Sequence, residues 1–238
     1  MRLEGITLDV INPVRAADFW EAALGTERVT TALELVETRL TIPEGPWFDI
    51  GLAQVPAPPD EPLRLHLDLL GGAEQTAVVD RLVSLGAGPL DIGQGEVPWV
   101  VLADPEGTPF CVMEERDEYT RTGPIAALPL DSADPERDAD FWAWLTGWVD
   151  VTGSAPRSLR HPSLRGPLLE LCPEDEPKGE GKNRVHLDVR PEVGDDPEAV
   201  HAGILERGGR ELDHAWGELP WRVFEDPSGN VFCVLAPE

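Results

Sequence analysis

The chain repeats itself. Asn12-Pro13 matches Asp134-Pro135, Asp18-Phe19-Trp20 matches Asp140-Phe141-Trp142, and Gly25 matches Gly147. Farther along, Gly95-Glu96-Val97-Pro98-Trp99 matches Gly217-Glu218-Leu219-Pro220-Trp221, Asp104-Pro105 matches Asp226-Pro227, and Phe110-Cys111-Val112 matches Phe232-Cys233-Val234. All of these pairs share an offset of 122 residues. Around Leu65-His66-Leu67-Asp68-Leu69 and Val185-His186-Leu187-Asp188-Val189 it falls to 120, so length changes on either side compensate. A register this long is the mark of duplication, and whatever one half folds into, the other must too. It divides the chain into domains at 1–116 and 122–238, joined by the polar stretch 114–123.

Each half divides again. Ile6, Leu8 and Val10 alternate with Thr7 and Asp9, a strand over 3–11. Asn12 then caps a helix that starts at Pro13, carries the apolar stripe Ala16, Phe19, Trp20, Ala23 and Leu24, and stops at Gly25. Strands follow near 28–31, 33–42 and 47–55, then a Pro-rich loop from Pro56 to Pro62. The His-x-Asp strand opens a second unit with a helix over 73–85 ending at Gly86, strands near 88–92 and 98–103, and a last strand over 109–114 that turns at Asp104-Pro105-Glu106-Gly107. The second half repeats the pattern, with Asp134 capping at Pro135 and Asp196 capping at Pro197. The order is strand, helix, then about three strands, four times over. The fold class expected is α+β, with mixed sheets.

Composition narrows the function. A formal charge of −26 over 238 residues, with Lys178 and Lys182 the only lysines, repels nucleic acid and anionic membranes. It suits a soluble surface, or a cationic ligand. Three cysteines, an odd number, argue against a disulfide framework and for a reducing compartment. The sequence shows neither a signal peptide nor an apolar run long enough to span a membrane, so a soluble cytoplasmic protein is expected.

The His-x-Asp strand carries the chemistry. Arg64, His66 and Asp68 share one face and Leu63, Leu65, Leu67 and Leu69 the other; Arg184, His186 and Asp188 oppose Val185, Leu187 and Val189 in the same way. One face packs in a core. The other is either a hydrogen-bonded polar network or the wall of a pocket. An Asp beside a His fixes its tautomer and raises its affinity for a proton, the arrangement of a general base.

These residues carry a family resemblance. Paired βαβββ units, Asn/Asp-Pro-x-Arg-x-x-x-Phe-Trp on the first helix, Arg-x-His-Leu-Asp, and Asp-Pro-x-Gly-x-x-Phe-Cys-Val resemble the vicinal oxygen chelate superfamily of glyoxalase I, extradiol dioxygenases and bleomycin-resistance proteins. The tandem glyoxalase-like domain proteins are the nearest likeness. The resemblance implies a U-shaped sheet in each domain, helices outside and a ligand cavity within the curve. It also implies four metal-ligand positions per domain, on the first and last strand of each unit. In domain one these fall on Gly5, on Asp49 or Gln54, on His66 and on Cys111; in domain two on Ala127, Glu170, His186 and Cys233. Domain one keeps one ligand of four, the set of a scaffold. Domain two keeps Glu170 and His186 with Cys233 as an unorthodox third, a set that can hold zinc, iron or manganese on ligand type.

Two readings follow. In the first, no catalytic metal is favoured, and the cavities bind a small cationic or aromatic molecule, as in sequestration or resistance. His66, Asp68, His186 and Asp188 then form the cavity floors. Asp9, Asp131, Arg64, Arg184, Cys111 and Cys233 line them, and Trp47 and Trp216 stack on the ligand. In the second, the protein is an enzyme: either a lyase or isomerase with His66, Asp68, His186 and Asp188 as its catalytic residues, or a lyase, isomerase or dioxygenase-type enzyme with a divalent metal at Glu170, His186 and Cys233. Neither reading has nucleic acid or membrane as partner. A monomer that is an internal pseudo-dimer, or a homodimer, fits both.

Overall fold

The computed structural model describes residues 1–59, 62–179, 181–213 and 219–237. Among them, the first half forms β1 (Arg2–Val10), α1 (Pro13–Leu24), β2 (Glu27–Thr31), β3 (Leu35–Thr41), β4 (Trp47–Gln54), β5 (Asp68–Gly72), α2 (Gln75–Ser84), β6 (Gly88–Pro89), β7 (Val100–Ala103) and β8 (Pro109–Glu114). A 3₁₀ turn at Asp117–Tyr119 lies in the connection. The second half forms β9 (Ile125–Ser132), α3 (Pro135–Thr146), β10 (Val149–Val151), β11 (Arg157–Arg160), β12 (Leu168–Pro173), β13 (Val185–Arg190), α4 (Pro197–Glu206), β14 (Arg210–Glu211), β15 (Arg222–Glu225) and β16 (Val231–Val234). The expected α+β class and the four βαβββ units are present. So are the caps: the Asn12 and Asp134 side chains accept from the Arg15 and Arg137 amides, and Gly25 and Gly147 close their helices in the left-handed region.

The units pair across the halves. One eight-stranded sheet runs β14-β15-β16-β13-β1-β4-β3-β2 and the other β10-β11-β12-β9-β5-β8-β7-β6. The first sheet therefore joins the opening unit of the chain to its closing unit, and the second joins the two middle ones. Each is mixed, centred on an antiparallel pair: β1 with β13 in the first, β5 with β9 in the second. The expectation of one curved sheet within each half is corrected on this point alone. The short connection 114–123 brings β9 back beside β5, one strand away from β8, and keeping consecutive elements close is the cheap solution. The first and last units are then left to each other.

Pro129 explains the one strand that starts late. His186 lies inside β13, opposite Thr7 of β1. Its counterpart His66 precedes β5 and faces Pro129, which has no amide to give; the His66 amide reaches the Pro129 carbonyl at 3.3 Å, and only Leu65 makes a bridge beyond it.

Within each half, a repeated motif bolts one sheet to the other. Trp20 of α1 is fully buried against Phe110 and gives its indole N–H to Asp104 at 3.1 Å; Trp142 of α3 does the same with Phe232 and Asp226, also at 3.1 Å. Asp104 also accepts from the amides of Glu106 and Thr108, and Asp226 from those of Ser228 and Asn230. Each Asp-Pro-x-Gly turn is thus a socket for a helix tryptophan lying over the other sheet. Truncating either indole to Ala would cost about 3–5 kcal/mol. Trp148 belongs to the same large core, and Trp144 lies against Gly203 of α4 and against Arg207, which follows the helix.

Candidate functional site

Strand alternation gives each sheet a second face, away from the shared core, with its own small apolar cluster. On the first sheet this is Val223, Val231 and Cys233. On the second it is Val101, Cys111, Met113, Tyr119, Ala126, Ala127 and Leu168. Trp221 and Trp99 pack at the margins of these clusters, as structural plugs. The His-x-Asp residues lie on the same faces, one cup to each sheet.

In the first cup Asp49, Gly5, Asp188 and Cys233 form one row across β4, β1, β13 and β16, and Gly51, Thr7 and His186 form the next. The Thr7 hydroxyl donates to Asp188 Oδ2 at 2.7 Å, and His186 Nε2 stands 3.6 Å from Asp188 Oδ1. Burial pushes the Asp188 carboxyl up to about 7, against the hydrogen bonds from Thr7 and Cys233. Burial, helped by the Lys182 ammonium, pulls the His186 imidazole down to about 3. The Cys233 thiol is raised well above its ordinary value, by burial and then by Asp188. Deep in this cup burial favours the neutral form of each polar group. Asp9, one row farther out, is buried and clasped by Lys182 through both carboxylate oxygens at 2.7 and 2.6 Å.

The second cup has the same skeleton and a different charge. Leu168, Ala127, Asp68 and Cys111 form one row, and Glu170, Pro129 and His66 the next. His66 Nε2 lies 3.3 Å from Asp68 Oδ1, yet that buried oxygen makes no hydrogen bond. The His66 side chain is 32% exposed where that of His186 is 9%, so this cup opens at its imidazole. Burial alone would lower the His66 value; Asp68, Asp131 and Glu170 outweigh it and raise the imidazole above its ordinary value. Glu170 is buried, accepts from the Ser154 amide at 3.0 Å, and is raised mainly by burial. The connection between the halves closes one side: Tyr119, the single tyrosine of the chain, is buried in the apolar cluster, and Arg116 lies over the Tyr119 and Trp99 rings.

The exchange of units regroups the expected site residues. Asp9 shares a cup with His186, and Asp131 with His66, the reverse of a cup per half. Glu170 lies on β12 of the second sheet, whereas His186 and Cys233 lie in the first. The set Glu170, His186 and Cys233 is therefore split between two cups and cannot hold one ion. Arg64 and Arg184 are tied to the opposite hairpin. Arg64 donates to Asn230 at 2.7 Å and Glu174 at 2.6 Å, and Arg184 to the carbonyls of Glu106 and Gly107. Trp47 stands with its face against Arg39, 3.7 Å from the ring centre, and Arg39 in turn pairs with Asp49 through two bonds of 2.7 Å. Gln54 holds the Ile11 carbonyl. Trp216 and His214 lie outside the described residues. Thr7, Tyr119 and Arg116 were not marked by the sequence as site residues; the solitary Tyr in the connection was the available signal.

The family profile of the glyoxalase-like domain matches residues 5–113 and again 127–235. The chain belongs to this family, as two tandem copies. Glyoxalase-like membership places it in the vicinal oxygen chelate superfamily, and the solved structures agree on the fold. Glyoxalase I from Zea mays is 17% identical with a TM-score of 0.65, over 99% of this chain and 92% of that one. A putative dioxygenase from Bacillus subtilis is 16% identical with a TM-score of 0.59, over 99% of this chain and 85% of that one. No curated protein matches. No helix among the described residues is long and apolar enough to cross a membrane.

Metal chemistry in this superfamily makes the donor sets worth testing. In each cup a His, an Asp and a Cys bring one ligand atom within 4.8 Å of the others: His66, Asp68 and Cys111, or His186, Asp188 and Cys233. Ligands of a tetrahedral zinc stand roughly 3.3–3.8 Å apart, so either set needs modest closing. The first cup is a poor fit, because its acid is already satisfied by Thr7 and an ammonium lies near its imidazole. The second fits on ligand type, with an unbonded Asp68 oxygen and Glu170 near by.

Proposed function

We propose that the second cup is the ligand-binding site and that it takes a small cationic molecule. One observation carries the reading: the buried Asp68 Oδ1 makes no well-formed hydrogen bond, its near neighbour being the one-third-exposed His66 imidazole at 3.3 Å, with Glu170 and Asp131 contributing negative potential. A buried carboxylate oxygen left unbonded costs about 1–3 kcal/mol or more, and a cationic ligand recovers it. The apolar cluster around Met113 and Tyr119 offers its body a dry surface. The small molecule is the partner, and the paired sheets within one chain support a monomer that is its own pseudo-dimer.

The second reading is a divalent metal held by His66, Asp68 and Cys111, favoured by the clustering of those three donors. A metal there would supply a Lewis acid for lyase, isomerase or dioxygenase-type chemistry. His66, with Asp68 orienting it, would be the proton acceptor of such a reaction.

Calorimetric titration of the intact protein with benzyltrimethylammonium and a panel of cationic aromatic compounds tests the first reading. Saturable binding is expected, weakened by salt, lost in Asp68→Asn and kept in His186→Ala. Binding of neutral or anionic compounds alone at this cup, or indifference to Asp68→Asn, overturns it. Elemental analysis of protein purified without chelator tests the second: near-stoichiometric zinc, iron or manganese that disappears in His66→Ala would put the metal first.

A further inference from the structure

The two lysines of this acidic chain lie together. Lys178 and Lys182 border a groove of about 760 Å³ at the rim of the first cup, which Arg210 also lines. That volume suits a small organic molecule. Its floor includes Val231 of β16, and the parallel register of β13 and β16 sets His186 beside Val231, one step below.

Charge decides what the groove can hold. Lys182 is committed to Asp9, a carboxylate almost without exposure, and so balances it. Glu174 on the groove wall is spent on Arg64. Glu225 is a single carboxylate between two cations, accepting from Lys178 at 3.3 Å and from Arg210. Among the described lining residues, Lys178 and Arg210 share the Glu225 carboxylate, and one further acid, Asp213, is exposed to solvent, as Arg210 is. An oxyanion set between Lys178 and Arg210 would take charge-assisted hydrogen bonds from both. A second observation points the same way. His186 Nδ1 is buried and has no hydrogen-bond partner. An apolar occupant would leave that nitrogen unpaired, whereas a ligand with a polar body could satisfy it.

We propose that the mouth of the first cup is a second ligand site, which binds a small organic anion by its carboxylate or phosphate group between Lys178 and Arg210. The site is separate from the cation site of the second cup. The two cups then differ in the sign of what they accept.

Titration of the intact protein with phenyl phosphate and with benzoate tests this, with inorganic phosphate as the arm that isolates the head group. One-to-one saturable binding of an aryl anion is expected, at least tenfold weaker in Lys178→Ala and in Arg210→Ala, restored in Lys178→Arg, and unchanged in His66→Ala. His186→Leu should weaken it about threefold or more through the lost imidazole contact. Phenyl phosphate binding well above benzoate would assign a phosphate ester, and the reverse a carboxylate. Absence of binding by all three probes, or affinity within twofold of the parent in a folded Lys178→Ala/Arg210→Ala double variant, overturns the proposal. Because His66→Ala separates the two cups, failure here leaves the reading of the second cup standing, and the converse also holds.

Discussion

The two cups share a skeleton and differ in what fills equivalent positions. Gly51 in the first cup occupies the register position of Glu170 in the second, because Thr7 faces Gly51 as Pro129 faces Glu170. Gly51 has no room for a side chain: a Cβ there would come within 2.5 Å of the Thr7 hydroxyl oxygen. That hydroxyl is the one that satisfies Asp188. The first cup thus seals its acid with a neutral donor. The second replaces the donor with a proline, adds an acid and leaves Asp68 Oδ1 unbonded. Duplication supplied two copies of one site, and small exchanges beside the His-x-Asp pair turned one into a closed polar floor and the other into an electronegative opening.

The comparison is sharpest at the paired glycine and alanine of the central strands. A Cβ on Gly5 would meet the Asp49 carbonyl oxygen at 2.0 Å, backbone that cannot step aside, while the twin position in the second sheet already carries Ala127. Gly5→Ala should cost roughly 3 kcal/mol, and Ala127→Gly only about 1 kcal/mol. Urea denaturation of both variants checks this, and equal losses would break the claim that β1 and β4 approach more closely than β9 and β12.

Proton linkage separates the cups next. Asp188 holds its proton more tightly folded, at about 7 against an ordinary 3.8, so its stabilising contribution is complete below about pH 4 and is lost as pH rises through 7. His186, at about 3 against 6.5, contributes above pH 6.5 and loses that contribution as pH falls towards 3. The two offset each other in the parent protein. His186→Gln should leave a stability that falls between pH 4 and 7, and Asp188→Asn one that rises between pH 3 and 6.5, each by on the order of 2–4 kcal/mol. His66 is raised, so its contribution is present at acid pH and lost as pH climbs past its folded value. Removing it should change the pH profile in the sense opposite to removing His186, and profiles of the same sign would contradict the assigned environments.

The smallest effects lie on the outer faces. Arg28 bridges Asp18 and Glu21 of α1, and Arg157 bridges Glu136 and Asp140 of α3 as well as Asp150. The acids around Arg157 are largely exposed, so Arg157→Ala should cost no more than about 0.5 kcal/mol and Arg28→Ala about 1 kcal/mol, both fading in high salt. A larger loss at Arg157 would mean that α3 is held to its sheet by charge more than by Trp142.

Much of this was legible in the linear order of residues. The alternation in 3–11, the caps at Asn12 and Asp134 and the stripe through Trp20 are local signals, so they gave units, helices and the likeness to the glyoxalase-like family. The repeat that revealed the duplication also concealed its outcome. His66 and His186 head homologous units, so a sheet built within each half and a sheet exchanged between halves satisfy the same strand patterns. Glu170 could be assigned to either histidine until the chain was folded. The sequence by itself determined four βαβββ units, two His-x-Asp floors and a large acidic charge. The tertiary structure alone decided that the first unit pairs with the last, that Glu170 belongs to His66, and that both lysines meet at the other rim. The physical reason is that alternation fixes which face of a strand is buried, while the partner along its edge is chosen by connection length, by a missing amide at Pro129 and by the room left at Gly5 and Gly51.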